Sequence, residues 1–201
     1  MKAPKTLTIF QVHALLANLI VSDGTCKQFA RGLRNYTMAM VMLETGLRVN
    51  ELVQLEVSDL WFMDNPVETL IVRSDIAKGN KERQVPISAI LKLALIEINK
   101  NAWSIHDMPR KPFAFYTNDQ GDPLTTRQVE RFIKSAGIIA FNQVVTPHML
   151  RHTFASRLMR KTNSRIVQSL LGHASLQSTQ VYCHPDAEDL KRAIDSPDPA
   201  A

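Results

Sequence analysis

Thr146-Pro147-His148-Met149-Leu150-Arg151-His152-Thr153-Phe154-Ala155 is the stretch around which the chain can be read. A threonine followed by proline is an N-cap with proline at the first helical position, where a missing N–H costs nothing. The helix it starts runs to about Lys161 and sets His148 and Arg151 one turn apart on one face. The charge around it is lopsided. Between Thr125 and Pro185, Arg127, Arg131, Lys134, Arg151, Arg157, Arg160, Lys161 and Arg165 stand against one acid, Glu130. His148, His152, His173 and His184 share the window. The whole chain carries only +5, from 24 Lys+Arg and 19 Asp+Glu, so this window holds more than the net excess. Such a field suits a polyanion such as nucleic acid, with a solvated basic face as the plain alternative.

Outward from this segment the pattern is mostly helical. Thr8 with Gln11 forms a capping box ahead of Val12, Leu15, Leu16 and Leu19. Phe29, Leu33, Tyr36, Met40 and Leu43 mark a second helix that stops near Thr45-Gly46, and a short helix follows through Glu51, Leu52 and Leu55. Leu60–Met63, Thr69–Arg73 and Arg83–Ile87 predict a small three-stranded antiparallel sheet. Helix returns from Ser88 through Ile98, and Phe113–Tyr116 with a turn at Asp119–Pro123 leads to a helix capped by Thr125 and Gln128. Beyond Lys161 the reading gives a short helix at Ile166–Leu171 closed by Gly172, another over Gln177–Tyr182 and a last one at Glu188–Ile194. The expected architecture is one mainly α domain with a small sheet on one edge.

Composition narrows the class. Hydrophobic residues make up 45% of 201 positions, enough for a sizeable core. No run approaches the apolar length of a membrane span, and Met1–Leu7 lacks the apolar region of a secretory signal. Cys26 and Cys183 are the only cysteines, too few for a disulfide framework, so a reducing, cytoplasmic setting is expected.

Breaking a phosphodiester without a metal calls for two guanidinium forks on the non-bridging oxygens, a nucleophile, a proton acceptor for it and a donor for the leaving oxygen. The candidates are Arg151 and His148, Arg48 just after Gly46, His173 just after Gly172, Tyr182 nine positions later, and the hairpin lysines Lys78 and Lys81. Each has a simpler explanation by itself: a surface H-x-x-R pair, a core tyrosine, an Arg48–Glu51 intrahelical pair, a soluble turn. His148 and His152, four apart on a helix, also echo a zinc helix, but Met149 stands where the glutamate of that motif would and no third ligand is evident. No metal and no cofactor is expected.

Taken in order and spacing, four segments resemble the catalytic domain of the tyrosine recombinase (phage integrase) family. They are Thr45-Gly46-Leu47-Arg48-Val49-Asn50-Glu51-Leu52, the hairpin Ala77 to Pro86, Thr146 to Ala155, and Leu171-Gly172-His173 followed by Tyr182. The resemblance runs from about Thr8 to Ile194. It implies the DNA breaking-rejoining fold, with Tyr182 as the nucleophile that forms a 3′-phosphotyrosine. It further implies Arg48 and Arg151 on the phosphate oxygens, His148 as the acid/base histidine, His173 on the phosphate, and Lys78 as general acid, with Lys81 its rival in the same turn. Glu51 is expected to buttress the fold. The family usually has glycine before the lysine, where this chain has Ala77. Lys81, Arg83, Arg127 and Arg131 are the expected DNA contacts.

The resemblance implies site-specific recombination (integration, excision, inversion or resolution) on double-stranded DNA. Residues 1–201 are read as a single catalytic domain, about 8–185, with a tail 186–201 that docks on a neighbouring subunit. It is similar to short recombinases without the helical clamping domain, or to a fragment of a longer one. Self-association from dimer to tetramer on DNA, accessory DNA-bending proteins and a bacterial or phage-associated nucleoid location go with that reading. The rivals are a type IB topoisomerase and a DNA-binding regulator that uses the fold without cutting.

Overall fold

The computed structural model describes residues 5–20, 25–104, 113–117 and 121–172. The helices are α1 (Ile9–Leu19), α2 (Cys26–Thr45), α3 (Val49–Val53), α4 (Val57–Leu60), α5 (Ala89–Ile98), α6 (Thr126–Phe141), α7 (Pro147–Met159) and α8 (Ser164–Leu171). The strands are β1 (Trp61–Phe62), β2 (Asn65–Pro66), β3 (Thr69–Val72) and β4 (Arg83–Pro86), and a π-helical turn, Asn99–Trp103, extends α5. The result is mainly helical with small antiparallel sheets, and no helix among the described residues is long and apolar enough to cross a membrane.

Helix α2 is the axis. From Thr37 to Leu43 every residue is buried, as in a helix that is covered on all sides. α1, α5 and α7 pack around it, and α6 packs against α1. The hydroxyls of Thr37 and Thr45 would be stranded in that setting, and each donates back to the carbonyl four residues earlier, Leu33 at 2.9 Å and Val41 at 2.6 Å.

The expected helix starts are present as side-chain caps: Thr8 on Gln11, Ser88 on Leu91, Thr125 on Gln128 and Thr146 on Met149. Helix α8 starts earlier than expected, because Asn163 caps it by accepting from the Ile166 N–H at 3.0 Å. The expected helices at Gln177–Tyr182 and Glu188–Ile194 lie outside the described residues.

The three-stranded sheet is replaced by two two-stranded ladders, β1 with β2 and β3 with β4. Met63 and Asp64 both have positive φ, 44° and 62°, and close β1 directly onto β2 as a two-residue hairpin. Pro66 has no N–H to extend that ladder, and Leu60 belongs to α4. The longer hairpin pairs Thr69 with Pro86 through to Val72 with Arg83, so its connection carries Lys78 and Lys81 outward.

Candidate active site

Helix α2 ends at Gly46 in the left-handed conformation, φ 64°. A Cβ there would collide with the Phe154 ring of α7 and lie 2.9 Å from Leu171 Cδ2 of α8. Glycine therefore lets the ends of α2 and α8 and the middle of α7 meet, two residues before Arg48. Arg151 uses that meeting point. It is 4% exposed, its Nη1 donates to the Gly46 carbonyl, and its Nη2 donates to the Leu171 carbonyl at 2.8 Å. Both acceptors lie at helix C-termini, where orphan carbonyls and the dipole favour a cation.

Arg48 is the N-cap residue of α3 and is held by Glu51. The Arg48 backbone N–H donates to Glu51 Oε2 at 2.8 Å and its Nη1 to Oε1 at 2.9 Å. Arg83, from β4, donates Nη1 to Oε1 at 3.0 Å and Nη2 to Oε2 at 2.6 Å, and its Nε donates to the Leu170 carbonyl at 3.1 Å. Burial alone would push the Glu51 carboxyl up. The bonds and charge of Arg83, joined by those of Arg48, outweigh it and hold the pKa down to about 2. One carboxylate thus serves two guanidiniums. Through Leu170 and Leu171, adjacent carbonyls at the end of α8, Arg83 and Arg151 grip the same helix terminus.

Glu51 has the buttressing place expected of it, at 1% exposure. The expectation that Arg83 contacts DNA is corrected: its guanidinium is buried and committed to Glu51 and Leu170, leaving no exposed cation for a phosphate. An arginine in a solvent-facing hairpin gives no sequence sign of this, because the acid it pairs with is 32 positions away.

Lys78 and Lys81 are exposed in the turn between β3 and β4. The Asn80 N–H donates to the Ala77 carbonyl at 3.1 Å, and Gly79 has φ 81°, the position that demands glycine in a type II turn. Lys78 precedes it at the tip. Ala77 is buried and is absent from the positive-φ positions, so the departure from the family's glycine brings no backbone strain.

His148 is exposed in the first turn of α7, and its ring lies 6.2 Å from that of His152 at an interplanar angle of 27°. Burial, then the nearby His148 and Arg151, lower the His152 pKa, favouring the neutral ring. Among the described residues no group of three His, Cys, Asp or Glu side chains is gathered as for a metal. Arg127 and Arg131 are exposed one turn apart on α6. His173 and Tyr182 lie outside the described residues.

Glu51, Gly46, Leu170 and Leu171 thus tie Arg48, Arg83 and Arg151 to the ends of α2 and α8. A family model described as the Phage integrase family matches residues 5–189. The chain belongs to the phage integrase family. It is 37% identical over 169 residues to the tyrosine recombinase XerC of Pediococcus pentosaceus, covering 82% of this chain and 54% of that protein. Its fold matches the crystal structure of XerA recombinase with a TM-score of 0.75 and 29% identity, over 98% of this chain and 67% of that one. It also matches the XerH site-specific recombinase bound to its palindromic difH substrate, in a post-cleavage complex, with a TM-score of 0.72 and 26% identity, over 96% and 53% of the two chains. The chain spans about half the length of the curated relatives it matches.

Proposed function

We propose that this protein is the catalytic part of a site-specific DNA recombinase that cuts and rejoins duplex DNA through a 3′-phosphotyrosine on Tyr182. The observation that carries this reading is the shared framework of Arg48 and Arg151: Gly46, two residues before Arg48, accepts the hydrogen bond of Arg151. In this reading the two guanidiniums take the two non-bridging oxygens of one phosphate, where the pentavalent transition state gathers charge.

The Tyr182 oxygen attacks phosphorus, forming the tyrosyl–phosphate bond while the bond to the 5′ oxygen breaks. His148 takes the phenolic proton, Lys78 protonates the departing 5′ oxygen, and His173 hydrogen-bonds the phosphate. Lys81, in the same turn, is the other candidate donor. The phosphotyrosine keeps the bond energy of the phosphodiester, so a 5′-hydroxyl of another strand can reverse the step without an external energy source. Arg127 and Arg131 contact the duplex. The tail, residues 186–201, docks on a neighbouring subunit, and the protein works as a dimer to tetramer on DNA in the cytoplasm, with accessory DNA-bending proteins.

A nicked suicide duplex tests this. The expected product is a covalent protein–DNA adduct that is lost in Tyr182→Phe. Binding without any adduct would mean a regulator, supercoil relaxation without strand exchange a topoisomerase, and an adduct surviving Tyr182→Phe a different nucleophile.

A further inference from the structure

A second feature, a cleft of about 650 Å³ between α1, α2 and α6, has neither Gly46, Glu51, Arg83 nor Leu171 in its described lining. Three arginines border it: Arg31 and Arg34, one turn apart on α2, and Arg131 on α6. No acidic residue lines it among the described residues, and the remaining polar wall is neutral, with Asn18, Asn35 and Gln128. Elsewhere Arg48, Arg73, Arg83 and Arg157 each face a carboxylate within 4.0 Å. The three cleft arginines face none among the described residues.

Arg34 is the deepest of them. Its Nη1 donates to the Tyr116 carbonyl at 2.7 Å, and its Nε and Nη2 donate to Asn35 Oδ1 at 3.4 and 3.1 Å, all neutral acceptors. Burial, then the charge of Arg31, lower its pKa to about 10, so it stays protonated at neutral pH with a like charge beside it. Such a group gains from an anion. Arg31 and Arg131 are exposed, so the cleft is entered from the surface, and Arg131 shares its face of α6 with exposed Arg127. A surface cleft continuous with a basic helix face, and far larger than one phosphate group, suits a length of sugar–phosphate backbone better than a small free anion.

We propose that this cleft clamps backbone phosphates of duplex DNA at positions other than the scissile one. The proposal rests on the DNA reading given above and adds to it a second anchoring point, supplied by α2. It is a positioning contact, independent of base sequence.

The test is the salt dependence of binding to a short fluorescein-labelled DNA duplex of arbitrary sequence, followed by anisotropy. Each lost phosphate contact lowers the slope of log K against log salt by about 1. Arg31→Ala is expected to lower it by about that amount and Arg31→Ala with Arg131→Ala by about 2. Both positions are exposed, whereas Arg34 is half-buried and bonded to the Tyr116 carbonyl, so changing it would also disturb the packing of the cleft wall. Lys92→Ala is the reference, removing an equal charge that Glu68 already holds at 2.5 Å. If Arg31→Ala changes the slope no more than Lys92→Ala, while wild-type protein binds and forms the Tyr182 adduct, the clamp is overturned and the recombinase reading stands. If wild-type protein neither binds duplex DNA nor forms the adduct, both fall.

Discussion

Glu51 and Arg83 meet as a two-pronged pair, 3.0 and 2.6 Å between their heavy atoms, inside the domain at 1% and 6% side-chain exposure. Because the same carboxylate also holds the side chain and backbone of Arg48, Arg83 positions Arg48 at one remove. Its Nε bond to Leu170 carries the link to the end of α8, beside the carbonyl that Arg151 holds. The side chains named in this unit are three guanidiniums, of Arg48, Arg83 and Arg151, and one carboxylate, of Glu51.

Removing the carboxylate charge exposes that dependence. Glu51→Gln leaves two guanidiniums facing a neutral amide, and breaking a buried pair from one side costs about 3–5 kcal/mol. Urea unfolding is expected to show a loss of that size. Strand cleavage on the suicide duplex is expected to fall further than duplex binding, since Arg48 loses its anchor. A stability loss with cleavage and binding reduced equally would reduce Glu51 to a fold element without influence on the phosphate site.

The same residue sets a pH dependence. The folded-state pKa of Glu51, about 2, lies below its ordinary 4.5, so the pair's stabilisation is complete above the ordinary value and is lost as the pH falls toward 2. The stability difference between wild type and Glu51→Gln is therefore expected to be constant from neutral pH to about 5 and to shrink steadily below that. Urea midpoints measured at descending pH check it, and a difference that persists undiminished at the lowest pH at which the protein folds would contradict it.

Much of this unit was legible in the sequence because its signals are local. Thr146-Pro147 fixed the start of α7 and the spacing of His148 and Arg151, while Gly46 and Gly172 marked helix ends whose left-handed backbone excludes most side chains. What stayed hidden is carried by long-range pairs. Arg83 reads as a solvated hairpin cation until β4 is seen to lie over Glu51. The separation into two ladders depends on Met63 and Asp64 adopting positive φ, which neither residue advertises as glycine would. Arg31 and Arg34 did leave a trace, two cations one turn apart without an acid partner on their helix, but only the approach of α6 turns that spacing into a cleft.

Gly46 and Gly79 separate packing from backbone strain. Both have positive φ, 64° and 81°, but a Cβ at Gly46 runs into Phe154 and Leu171, whereas one at Gly79 meets nothing within 4 Å. Gly79→Ala is expected to cost about 1–2 kcal/mol, the left-handed penalty alone. Gly46→Ala carries that penalty plus overpacking of about 1–3 kcal/mol. Thermal melts of the two variants provide the comparison, and equal losses would mean that α7 and α8 move aside at no cost.

Arg151→Lys tests the guanidinium itself. Arg151 spans two carbonyls with separate nitrogens, Nη1 to Gly46 and Nη2 to Leu171, and no single ammonium can reproduce that planar reach while also facing a phosphate. The positive charge survives the substitution, so attraction to DNA is expected to change little. Cleavage is expected to fall by about a hundredfold or more, the scale of losing one oxyanion donor. Single-turnover cleavage at saturating protein, set beside equilibrium binding to the same duplex, separates the two effects. If cleavage fell only in proportion to binding, the planar fork would have no part in stabilising the transition state, and charge alone would suffice at that position.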